Sequence, residues 1–72
     1  MRQFEFSLAL PADKIQAIYQ GQARYILVES DDGLKLQLPA ANFRGFVTED
    51  GIDGRFSVTI DNDNKIQALH RI

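Results

Sequence analysis

The fold turns on Ala23–Pro39, "ARYILVESDDGLKLQLP". Its second half is easily placed. In "LKLQL", Leu34, Leu36 and Leu38 alternate with Lys35 and Gln37, the period of a half-buried strand that Pro39 then ends. Asp32-Gly33 before it signals a hairpin, because both residues tolerate the positive φ of a primed turn. The first half does not alternate. Tyr25 and Leu27 share one face, yet Ile26 and Val28 on the other are also apolar. Such a strand is expected to be central and covered on both sides. The helix that precedes it would cover one face, and a second layer or another subunit the other.

Upstream, "FEFSLAL" alternates cleanly, with Phe4, Phe6, Leu8 and Leu10 against Glu5, Ser7 and Ala9. Pro11 stops that strand and suits the first turn of a helix. "ADKIQAIYQ" then sets Ile15, Ile18 and Tyr19 at helical spacing, with Asp13 near the positive end of the helix dipole and Gly21 as terminator. Downstream, "AANFRGF" reads as an irregular or one-turn helical connection and "VTEDGIDG" as its continuation in a loop. Gly54–Asp61, "GRFSVTID", alternates Phe56, Val58 and Ile60 against Arg55, Ser57 and Thr59. "DNDN" is a turn, and "KIQALHRI" is a fifth strand without a clear facing. The order β-α-β-β-β-β over residues 1–72 predicts one α+β domain. Its expected form is a five-stranded, mostly antiparallel curled sheet, or a small partly open barrel, with one short helix. Curling would hide edges that otherwise template aggregation.

Composition excludes much. The chain has 72 residues, no cysteine and one histidine, His70, so disulfides, thiolate metal sites and multi-histidine sites are ruled out. A domain this small buries only about 60% of its unfolded surface. Good packing or self-association must therefore supply its stability. The longest apolar run, Tyr25–Val28, is far too short to span a bilayer. The N-terminus lacks the apolar core and cleavage site of a signal peptide, so a cytoplasmic location and no membrane partner are expected. A net charge of −2 disfavours nucleic acid, whose non-specific binding is driven by phosphate neutralisation.

Few groups could carry chemistry. His70 has no nucleophile pattern around it. "DNDNK" begins like a calcium loop, but Lys65 stands where the third oxygen ligand belongs, and the glycine and the closing glutamate are missing. A turn explains it better. Glu49, Asp50 and Asp53 cluster in a loop, where carboxylates stay solvated and a general acid finds no pocket to shift its pKa. "GIDGRF" lacks both the Walker lysine and the dinucleotide pattern. No catalytic residue, metal or cofactor is expected, and the chain reads as a non-enzyme.

The candidate binding residues are Phe43, Arg44, Phe46 and Arg55. Arginines beside aromatics can pair with phosphate or carboxylate, or stack on a base, and loop aromatics are natural interface anchors. The competing account has the phenylalanines filling the core, with the arginines outward as partners for Glu49, Asp50 or Asp53.

"FEFSLAL", "YQGQA", "LQLPAANFRGFVT", "GIDGRF" and "DNDNK", in this order and spacing, resemble a small bacterial family known as domain of unknown function 2835. The resemblance covers nearly the whole chain and implies a compact bacterial cytoplasmic protein, with no activity or site residue to transfer. The small core, the doubly apolar strand Tyr25–Val28 and the loop aromatics Phe43 and Phe46 lead instead to the expectation of a small non-enzymatic interaction module, a homo-oligomer or a binder of another protein. The alternative is a small β-barrel that binds nucleic acid or another anionic ligand through Arg44 and Arg55 with neighbouring aromatics, supported by Arg24 and Lys35.

Overall fold

In the computed structural model, which describes residues 1–21 and 24–72, the alternating segments become strands. Gln22 and Ala23, from "YQGQA" and the predicted start of the second strand, lie outside the described residues. The elements are β1 (Arg2–Leu10), α1 (Ala12–Tyr19), β2 (Tyr25–Glu29), β3 (Lys35–Pro39), a 3₁₀ helix (Ala40–Phe46), β4 (Ile52–Ile60) and β5 (Ile66–Arg71). The order matches the expectation. The layout does not, because the strands form two antiparallel sheets, β1-β4-β5 and β2-β3, instead of one five-stranded sheet or a barrel.

β2 and β3 are joined by a short loop and pair with each other in the register Ile26↔Leu38 and Val28↔Leu36. That hairpin meets the larger sheet at one point, an isolated bridge between Phe6 and Ser30. There the Asp31 N–H also donates to the Glu5 carbonyl at 2.8 Å. The loop itself departs from a primed two-residue turn. Asp31 and Asp32 keep negative φ and only Gly33 is positive, at 85°. The Gly33 N–H donates to the Ser30 carbonyl at 2.9 Å, and the Ser30 N–H to Leu34 at 2.8 Å. These bonds make a three-residue loop closed by one left-handed residue.

The same design recurs at the "DNDN" turn. Asn64 there takes φ 62°, its N–H donates to the Asp61 carbonyl at 3.1 Å, and the Asp61 N–H donates to Lys65 at 2.9 Å. In both loops a side-chain oxygen at the first position also accepts from the residue after the loop. Ser30 Oγ takes the Leu34 N–H at 3.2 Å, and Asp61 Oδ1 takes the Lys65 N–H at 2.9 Å.

β4 begins two residues earlier than its alternation suggests, so Ile52 and Asp53 are strand and pair with Leu10 and Ala9. β5 failed to alternate because its period is reset. Thr59 faces Ala68 and Ile60 faces Ile66, which leaves Gln67 as the extra residue of a β-bulge. Ile66 and Leu69 consequently both lie on the core side, opposite Ile60 and Val58.

The core lies between the two sheets. Phe4, Phe6, Leu8, Ile52, Phe56, Val58 and Ile60 come from the larger sheet, Ile26, Val28 and Leu38 from the hairpin, Ile15 from α1 and Phe43 from the 3₁₀ helix. At its centre Phe6 and Phe56, direct cross-strand partners, stack with ring centroids 5.7 Å apart.

Candidate functional site

The Phe43–Phe46 segment is part of that core. In a 3₁₀ helix residues three apart fall on one face, so Phe43 and Phe46 both point at the sheet. Phe43 is 1% exposed and meets Phe6 and Phe56 edge-on at 6.3 and 5.9 Å. Phe46, half-buried, meets Phe56 edge-on at 5.2 Å. Four phenylalanines thus share one cluster, and the pair read as loop aromatics packs over the middle of β1 and β4. Of the segment, Arg44 alone among the candidates stands exposed.

Arg55 is committed elsewhere. On the solvent face of β4 it forms a two-pronged ion pair with Asp31 and donates to Ser7 Oγ at 2.9 Å. The expected acidic partners Glu49, Asp50 and Asp53 are not the ones it meets. The hydrogen bond and the charge of Asp31 raise the Arg55 pKa above its ordinary value. The pair links the hairpin loop to β4 beside the Phe6–Ser30 bridge, with both side chains about half exposed.

The other basic residues of the expected anionic site sit on separate elements. Arg24 precedes β2, Lys35 is on β3 directly across from Glu29, and Arg44 is on the 3₁₀ helix. Glu49 and Asp50 are the exposed tip of a tight turn, in which Thr48 and Gly51 exchange backbone hydrogen bonds of 2.7 and 3.0 Å. Asp53 is exposed on β4, where its carbonyl accepts from Arg71 at 2.9 Å. Asp61 has a lowered pKa. The Lys65 N–H foremost, then those of Asp63 and the Gln67 amide, hold its carboxylate below the usual range. Its carboxylate organises the β4–β5 loop, as the turn reading requires. Among the described residues no group of three or more metal-ligating side chains gathers, and no helix is long and apolar enough to cross a membrane.

The feature that sequence reasoning misplaced is the outer face of the hairpin. Ile26 and Val28 are buried as expected, but the side of β2 expected to be covered is open. Leu27 is 73% and Tyr25 56% exposed. In register across β3 they face Gln37 and Pro39, and Glu29 faces Lys35. The face therefore has three rows, running from apolar (Tyr25, Pro39) through mixed (Leu27, Gln37) to charged (Glu29, Lys35). Along its side runs a groove of about 230 Å³ between β2 and α1, walled by Leu10, Lys14, Ala17, Ile18, Tyr25, Ile26 and Leu27. A doubly apolar strand signals burial on two sides, and among the described residues the side that carries Tyr25 and Leu27 is exposed.

The family described as Protein of unknown function (DUF2835) has a model that matches residues 2–72, so this chain belongs to it. No curated protein and no solved structure matches the chain.

Proposed function

We propose that this member of a family of unknown function is a small non-enzymatic interaction module that self-associates through the outer face of the β2–β3 hairpin. The observation that supports this reading is the 73% exposure of Leu27, flanked on the same open face by Tyr25 at 56% and by Pro39. Burying a leucine contributes about 1.5–3 kcal/mol, which a chain of this size and without disulfides has reason to use. Tyr25 beside it supplies a large, rigid contact surface of the kind that anchors interfaces. The groove against α1 continues the apolar surface on one flank.

The hairpin face is roughly 17 Å long and 10 Å wide by standard strand spacings. That footprint, about 170 Å² per copy, is far below the roughly 800 Å² per partner of a standard interface, so the expected association is weak. Sedimentation equilibrium at concentrations up to about 300 µM covers this range. The expected result is a reversible dimer in the unaltered chain and a monomer for Leu27→Arg, with identical far-ultraviolet circular dichroism. A strictly monomeric unaltered chain, or a Leu27→Arg chain that associates as strongly, overturns the proposal.

A further inference from the structure

We infer that the second copy docks hairpin to hairpin about a twofold axis parallel to the strands, so that Glu29 of each chain pairs with the partner's Lys35. The inference rests on the hairpin-face reading above and adds its geometry and the residues that select the partner.

Homodimers are most often twofold, and a twofold interface brings one patch onto itself. Two open sheet faces packed about 10 Å apart can meet by two such axes that keep the strands roughly aligned. An axis running across the strands inverts the row order. It lays Glu29 over the partner's Tyr25 and Lys35 over the partner's Pro39, removing water from both charges without giving them partners across the interface. An axis running along the strands preserves the row order and exchanges the strands, because β2 of one chain then stacks on β3 of the other. Tyr25 meets the partner's Pro39, and Leu27 flanks the axis opposite the partner's Leu27 and Gln37. At the far end Glu29 meets the partner's Lys35 while Lys35 meets the partner's Glu29.

The rows that make this possible are set by the observed register, Tyr25↔Pro39, Leu27↔Gln37 and Glu29↔Lys35. All six side chains lie on the exposed side of the hairpin. Charge complementarity of this kind governs partner choice more than raw affinity. Glu29 and Lys35 are thus specificity residues, and Leu27 with Tyr25 supplies the attraction.

The test uses charge exchange between two variants. Glu29→Lys alone, or Lys35→Glu alone, sets like charges against each other twice per dimer, and association should weaken on the order of tenfold. A one-to-one mixture of the two variants should recover a mixed dimer of about the strength of the unaltered chain, because every contact across the interface is again opposite in sign. The chain has no cysteine, so a second arm introduces single ones. Glu29→Cys and Lys35→Cys chains, mixed and oxidised, should cross-link to each other more readily than either does to itself.

Preferential mixed dimers and mixed cross-links support the arrangement. If Leu27→Arg abolishes the dimer but the charge variants associate as the unaltered chain does, with no mixed preference, the axis is wrong and the hairpin face stands. If the unaltered chain is monomeric, or Leu27→Arg is without effect, the hairpin-face reading itself fails. Should a charge variant melt below the assay temperature, the cysteine arm decides alone.

Discussion

Replacing Gly51 with alanine isolates one close approach of backbone to backbone. Gly51 is buried at the entry to β4, with φ 106°, and closes the Thr48–Gly51 turn. A Cβ built there would lie 1.9 Å from the Leu10 carbonyl oxygen and 2.9 Å from the Pro11 carbonyl carbon. Separations under 3.0 Å are essentially never seen for real Cβ atoms, so the end of β1 must retreat by more than about 1 Å. That end is held by the Leu10↔Ile52 register on one side and by the start of α1 on the other.

Gly33 provides the comparison. Its φ is 85°, in the same left-handed half of the map, with nothing within 4 Å of an added Cβ. Gly33→Ala therefore carries the conformational strain alone, about 1 kcal/mol, and Gly51→Ala adds an overpacking cost of about 1–3 kcal/mol. The expected loss for Gly51→Ala is about 2–4 kcal/mol, a large part of the roughly 4–11 kcal/mol available to a chain of this length. Urea unfolding, followed by far-ultraviolet circular dichroism and by tyrosine fluorescence, measures both variants if their m-values agree. A difference between them below about 0.5 kcal/mol would refute the close-approach argument.

Phe43→Ala removes a buried ring from the four-ring cluster and should cost about 3–5 kcal/mol in the same assay, whereas Arg44→Ala next to it should stay within about 0.5 kcal/mol. Equal effects would mean that Phe43 is not core. Asn64→Gly should stabilise by a few tenths to about 1 kcal/mol, because glycine takes φ 62° without a Cβ penalty, while Asn64→Ala should destabilise; thermal melts rank the three. Asp61 ties stability to acid pH: its folded pKa is depressed, so its contribution is present above the unfolded value of about 3.9 and is lost as pH falls through the lower folded value. Asp61→Asn should flatten the stability profile in that acid range, and a profile unchanged by the substitution would exclude Asp61 as its source.

Much of the fold was legible because side-chain direction is a local property of the backbone. Phe4, Phe6, Leu8 and Leu10 announce β1, and Phe56, Val58 and Ile60 announce β4, since a strand turns alternate residues to opposite faces. The helix after Pro11 is legible by the same logic at a different period. Legibility fails where local periodicity is interrupted or has two solutions. The bulge at Gln67 hides the facing of β5, because it places Ile66 and Leu69 on one side despite their three-residue spacing. "NFRGF" offers an arginine and two aromatics at a spacing that suits both a display loop and a 3₁₀ turn. Only the position of Phe56 beneath it sends the two phenylalanines inward.

The sequence by itself determined the order of the elements, the inward residues of β1 and β4, and the exclusion of cysteine chemistry. It also showed that Tyr25–Val28 is apolar on both sides. Tertiary structure decided what that means. Whether an apolar face is covered depends on which other layer packs on it, a contact between residues far apart in sequence that no local pattern encodes. The larger sheet covers Ile26 and Val28, Asp31 and Arg55 link the loop to β4, and Leu27 and Tyr25 are left facing water.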